Sequence, residues 1–102
     1  DRFSIFFLDH NSEKAYLIRD RLGQKPLFYY IDNNNFSFSS NLKSLIKLNN
    51  KFDLDNGSIN EFLNLGVVTS PNTIFKNHHK VEPGQIIEID VIKNFSVIRT
   101  FL

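Results

Sequence analysis

The chain contains no cysteine, methionine or tryptophan. The first absence excludes disulfides, thiolate zinc sites and a cysteine nucleophile within these 102 residues. Its four glycines and three prolines stand singly and far apart, so no glycine-rich loop of the phosphate-cradling kind is present. No charge of one sign dominates. Twelve basic and eleven acidic side chains are interspersed for a net +1, which argues against a nucleic-acid footprint and against a polybasic membrane patch. No apolar run approaches the roughly 20 residues that span a bilayer, and no signal-peptide pattern opens the chain, so the expected location is cytoplasmic.

A hydrophobic fraction of 41% with 23% charged residues fits one small globular domain or a piece of a larger one. Thirteen asparagines, eleven phenylalanines and eleven isoleucines are interleaved with ordinary core patterning, as expected of a compositional bias and not of a low-complexity tract. The stretch from Glu13 to Leu48 organises the rest. Ala15 to Ile18 reads as a strand, Arg19-Asp20-Arg21 breaks it, and Gly23 to Pro26 marks a bend. Leu27 to Ile31 resumes the strand pattern, three asparagines supply a turn, and Phe36-Ser37-Phe38-Ser39 alternates at period two. Leu42, Leu45 and Ile46 then recur at helical spacing, with Ser40 as the expected cap of a helix beginning at Asn41.

Ahead of this stretch, Phe3 to Leu8 is apolar on both alternating faces, the pattern of a strand buried between two layers. Asp9 to Ser12 would turn it into an antiparallel hairpin with Ala15–Arg19. A strand of this kind at the start, and a β pattern still running at Leu102, lead to the expectation of an excised segment whose missing part covers one side. The exposed face would make the isolated chain dimerise or behave poorly in solution. A second helix is expected after Asp55 or, through the capping-box match Ser58-Ile59-Asn60-Glu61, three residues later. Ile59, Phe62 and Leu63 share one of its faces, and Gly66 sits at its C-terminal end. Glu82-Pro83-Gly84 is a strong turn signal. Beyond it Ile87, Ile89 and Val91 oppose Glu88 and Asp90 as a half-exposed strand, turned back by Lys93-Asn94 into a terminal hairpin.

None of the candidate chemistry forms a catalytic constellation. His78-His79 invites a metal, but neighbours on a strand point to opposite faces and no third ligand stands at a suitable spacing, so surface histidines are expected. Arg19-Asp20-Arg21 is expected to be a buried ion pair fixing a strand end, in preference to an active-site cluster. Ser39-Ser40 lacks the nucleophile-elbow context of hydrolases, and Glu82, Glu88 and Asp90 read as solvated carboxylates. The residues by themselves assign no catalytic, cofactor-binding or metal site.

The run Arg19-Asp20-Arg21-Leu22-Gly23-Gln24-Lys25-Pro26-Leu27-Phe28-Tyr29-Tyr30 closely resembles the RDRLGIKPLYY signature of the glutamine amidotransferase domain of glutamine-hydrolysing asparagine synthetases. Further matches follow in the family's order. Phe38-Ser39-Ser40-Asn41-Leu42-Lys43-Ser44-Leu45 resembles FASEIKAL, Leu54-Asp55 heads a helix like the family's LD, and Thr73-Ile74-Phe75-Lys76 resembles TIFkgv. Lys80-Val81-Glu82-Pro83-Gly84-Gln85 resembles KLPPGh, and Phe3 to Asp9 is similar to the FAFALWD strand. The chain departs from the pattern at Asn41, usually glutamate, at Glu82, usually proline, and at His78-His79, which replace a glycine-containing turn.

The resemblance implies an α+β fold, mostly antiparallel with two helices, forming part of the αββα sandwich of N-terminal nucleophile hydrolases. Residues 1–102 would be the second half of the glutaminase domain. In the family an N-terminal cysteine attacks the glutamine amide, forms a thioester and releases ammonia. A synthetase domain then uses ATP with magnesium to activate aspartate. The resemblance places both centres outside this segment, so no catalytic, cofactor or metal residue is carried over. Arg19, Asp20, Gly23, Pro26, Ser40 and Gly84 are matched positions expected to hold the sheet and its bend. The implied partners are the rest of the same polypeptide, with glutamine and aspartate as substrates of the whole, no nucleic acid and no membrane, and a homodimer through the exposed face. Alternatives are a degenerate, non-catalytic interaction module and a relative that amidates a sugar acid or closes a β-lactam.

Overall fold

The computed structural model describes residues 4–22, 25–69, 71–91 and 96–101. Among the described residues seven strands and two helices run in the order β1 (Ser4–Asp9), β2 (Lys14–Arg19), β3 (Phe28–Ile31), β4 (Phe36–Ser39), α1 (Leu42–Asn49), α2 (Asn56–Leu65), β5 (His78–Lys80), β6 (Ile86–Asp90) and β7 (Ser96–Phe101). They form two antiparallel sheets, ordered β1-β2-β6-β7 and β4-β3-β5.

Each local element follows from its residues. In the first turn Asp9 accepts from the Asn11 amide at 3.0 Å and the Ser12 hydroxyl at 2.9 Å, and this closes the expected β1–β2 hairpin. Asp32 likewise accepts from the amides of Asn34 and Asn35 between β3 and β4. Helix α1 starts one residue later than Ser40 suggests. Asn41 is the cap, its side chain accepting from the Ser44 amide at 3.1 Å, while the Ser39 hydroxyl accepts from the Asn41 amide. For α2 the cap is Asp55 and not Ser58, because the carboxylate takes both the Ser58 amide at 3.0 Å and the Ser58 hydroxyl at 2.6 Å. Gly66 ends the helix in the left-handed region at φ 78°.

The pleat decides the layers. Ala15 and Leu17 on β2 lie opposite Ile89 and Ile87 on β6, so all four point to one face. They form the core with Tyr29, Leu27 and Val81, joined at its margin by Ile31 and Phe36 from the second sheet. The two sheets therefore pack face to face. The far side of the second sheet carries α1, whose Leu45 and Ile46 are buried and whose Asn49 accepts from Ser37 on β4 at 3.0 Å. Two sheets and one helical layer, mostly antiparallel, make a partial αββα sandwich of the N-terminal nucleophile hydrolase kind, with α2 beside it.

Two expectations are corrected by this packing, at β1 and at Glu88. Strand β1 is not buried between layers: it is the sheet edge, and Ile5, Phe6, Phe7 and Leu8 are 41–45% exposed. The apolar face of α2 is open to solvent, with Phe62 50% and Leu63 73% exposed and Ser58 its buried residue. Glu88 is not solvated. It lies on an interior strand, directly opposite Tyr16, whose hydroxyl donates to its carboxylate at 2.8 Å. The expected turn at Lys93-Asn94 lies outside the described residues, while the β6–β7 pairing it serves is present with a register shift at Glu88/Ile89.

Candidate functional site

The motif residues meet where the chain passes between the sheets. Strand β2 of one sheet ends at Arg19 and β3 of the other begins at Phe28, so the chain crosses between the sheets here. After β5, residues 81–85 carry it back to β6. The two crossovers run side by side and are stitched together. Arg19 N–H donates to Gln85 O at 3.1 Å, Val81 N–H to Leu27 O at 2.8 Å, and Gly84 N–H is shared between Arg19 O at 3.0 Å and Asp20 O at 3.2 Å.

Side chains lock the same junction. The Arg19 guanidinium reaches across and donates to Val81 O at 2.6 Å, and Asp20 folds back to accept from the Leu22 amide at 2.8 Å. Arg19 and Asp20 are buried, and Leu27 and Val81 plug the end of the core between the sheets. The strand end is thus fixed through backbone groups: the Val81 carbonyl of the opposite crossover anchors Arg19, the Leu22 amide holds Asp20, and Arg21 is exposed. The return crossover turns at Glu82-Pro83-Gly84-Gln85, where Gln85 N–H donates to Glu82 O at 3.0 Å. Gly84 has φ 77°, while a Cβ there would sit in ordinary contact at 3.6 Å from Arg21. Backbone conformation and not space is what asks for glycine.

Other matched positions play smaller parts. Pro26 and Ser40 are exposed, and Gly23 lies outside the described residues. Glu82 is half-buried, its amide held by the Gln85 side chain at 2.8 Å. Asp90 is half-buried on β6, opposite Lys14.

The histidine pair forms a second polar cluster, on β5. His78 is 1% exposed, which corrects the expectation of a surface residue: it packs against the Tyr30 ring at 4.8 Å and its Nδ1 lies 2.9 Å from Lys76 O. Burial pushes its pKa down, so it is neutral at pH 7. His79, half-buried against Tyr29, is also pushed down by burial and by His78, with Asp55 pulling it back. Tyr30 is raised to about 12 by burial and by its hydrogen bond to Asp32. Thr73 completes the cluster by bonding the carbonyls of Phe75 and His78. Among the described residues no three His, Asp or Glu side chains converge as metal ligands. Beside the pair opens a polar pocket of about 280 Å³, lined among others by Asp55, Thr73, Lys76, His78 and His79.

The sequence did not reveal the roles of Val81, Leu27 and Tyr16. Each acts through a partner more than fifty residues away in the chain, at Arg19, at Val81 and at Glu88, and no local pattern announces such a pair.

A two-sheet sandwich whose crossovers are held by signature residues defines a structural unit, and comparison with known proteins shows which. The chain belongs to the family described as glutamine amidotransferase domain, whose model matches residues 2–99. It is 37% identical over 94 residues to a provisionally named asparagine synthetase (glutamine-hydrolyzing) 2 of Methanocaldococcus jannaschii, covering 89% of this chain and 18% of that protein. It is 32% identical over 82 residues to asparagine synthetase (glutamine-hydrolyzing) 1 of Bacillus subtilis, covering 80% of this chain and 13% of that protein. Asparagine synthetase (glutamine-hydrolyzing) 3 of Bacillus subtilis is 30% identical over 87 residues, 83% of this chain and 14% of its own length. The chain therefore spans less than a fifth of each of these relatives. Among the described residues no helix is long and apolar enough to cross a membrane.

Proposed function

We propose that this chain is the second, scaffolding half of the glutaminase domain of an asparagine-synthetase-like enzyme. The observation that carries the reading is the stitched double crossover. The two most distinctive motif runs, 19–30 and 80–85, are joined through Arg19, Val81 and Gly84, and the Arg19 and Asp20 side chains engage backbone groups of the junction. Such a junction fixes the spacing of the two sheets. Holding a nucleophile and a substrate-binding loop from elsewhere in the polypeptide at near-attack distance needs that kind of rigid support.

In this reading a cysteine outside the chain hydrolyses glutamine, and the ammonia amidates aspartate in a synthetase domain that holds ATP and magnesium. The donor sets for those groups, a glycine-rich phosphate loop or converging acids, are not assembled among the described residues. The partner of the chain is the remainder of its own polypeptide, and the isolated chain does not release glutamate from glutamine.

The test is a glutamate-release assay on the chain alone and on the full-length polypeptide that contains it. The expected result is turnover by the longer protein only, abolished when its N-terminal cysteine is replaced by alanine. Turnover by the chain alone would overturn the division of labour. A full-length protein without that cysteine and without glutaminase activity would point to a degenerate interaction module instead, and glutaminase activity without aspartate amidation would point to a different acceptor.

A further inference from the structure

Alongside α1 runs a groove of about 500 Å³ whose walls are apolar and whose rim is cationic. It is lined by Leu42, Lys43, Ile46 and Lys47 from the helix and by Phe52 and Phe75 from the facing segments. The facing wall is held in place by the bridge between Leu54 and Phe75 and by Lys76 N–H donating to Asp53 O at 2.8 Å. Phe52 is 60% exposed, an aromatic ring left open at the groove wall.

Charge around the groove is one-sided. Lys43 and Lys47 are both exposed and stand one helical turn apart on its edge, and Lys51 and Lys76 adjoin lining residues in sequence. Asp53 is the one carboxylate so placed. Helix α1 has no acid in its first turn and a lysine in its last.

We propose that this groove docks an acidic amphipathic helix of a partner polypeptide, which lays apolar side chains over Ile46, Phe52 and Phe75 and sets carboxylates against Lys43 and Lys47. Helix-in-groove recognition takes affinity from apolar anchors and register from complementary charge. Two ammonium groups one turn apart match two carboxylates spaced i, i+4 on a facing helix, whereas the single headgroup of a fatty acid would leave one lysine unanswered. This proposal rests on α1 and the 52–75 wall and is independent of the glutaminase reading.

The experiment is selection of phage-displayed random peptides, a few helical turns long, on the immobilised 102-residue chain. The selected peptides are then measured by fluorescence anisotropy against the wild type, K43E/K47E and Phe52→Ser. All three substituted side chains are exposed, and matched circular dichroism and urea midpoints establish that each variant is folded. The expected result is enrichment of peptides pairing Asp or Glu at i, i+4 with Leu, Phe or Trp, binding each variant about tenfold more weakly than the wild type. Their affinity should also fall several-fold as salt rises from about 50 to about 300 mM. Absence of enrichment, enrichment of peptides without acidic residues, or equal binding to the variants would overturn the proposal. So would decanoate that saturates the groove more tightly than any peptide.

Discussion

Strands β1 and β2 are hydrogen-bonded neighbours of equal length and similar apolar content, yet their fates differ. On β2, Ala15 and Leu17 are 0–1% exposed, whereas on β1 the run Ile5 to Leu8 is 41–45% exposed. Pairing is the same in kind, and the difference is cover: β2 is flanked by β1 and β6 and roofed by the second sheet, and β1 is an edge whose Phe6 reaches the Phe36 and Phe38 rings. Apolar sequence thus marks what is to be buried, while topology decides what this chain can bury by itself. An apolar edge of this kind is a site of self-association unless something covers it. In the functional reading given above, that cover is another part of the same polypeptide.

The contrast can be broken or sharpened by substitution. Leu17→Ala should have the largest effect, about 3 kcal/mol in urea unfolding, because it opens a cavity where the two sheets meet. Phe7→Ala in the same chain should cost about 1 kcal/mol, chiefly its stacking on Tyr16 at 5.0 Å. Equal costs for the two would erase the distinction between edge and core. Between these extremes, Arg19→Ala should cost about 2 kcal/mol, since it leaves the Val81 carbonyl short of its guanidinium donor inside the junction. Gly84→Ala should cost about 1 kcal/mol through its positive φ. A result near zero would show that the turn relaxes and the crossovers are not rigid.

The smallest effect near neutrality is that of pH, and it separates the interior of the second sheet from its surface. His78 has its pKa depressed below the usual 6.5 by burial, so the unfolded chain takes up a proton that the folded one resists. That contribution is fully present above about pH 6.5 and is lost as pH falls through the folded value. Stability should therefore decline on acidification before the carboxylates Asp55 and Glu61, themselves lowered by hydrogen bonds from Ser58 and Thr69, begin to protonate. His78→Gln should flatten the first part of that decline. An unchanged profile would mean that other groups carry it.

The sheet strands, the two helices and the turn at Pro83-Gly84 were legible because period-two alternation, helical spacing and turn residues are local signals. The pairing of the short strand β5 was not, since its His-His-Lys sequence has little strand character and is held by β3 and by Thr73. The burial of Glu88 was equally hidden. A carboxylate alternating with isoleucines looks solvated until register sets Tyr16 opposite it. Of the junction, the sequence indicated the residues through family resemblance and the strand-end role of Arg19, but not the carbonyl that Arg19 reaches. Contacts of that kind belong to the tertiary fold.

The most direct measurement is amide hydrogen exchange across Ile5–Leu8 in the isolated chain and in the full-length polypeptide. As an uncovered edge, every second amide of β1 faces away from β2 and should exchange quickly in the isolated chain, then gain about a hundredfold protection in the longer protein as further structure closes over it. Identical, fast exchange in both would contradict the account, because β1 would then be a true surface and this chain would not be one half of a layered whole.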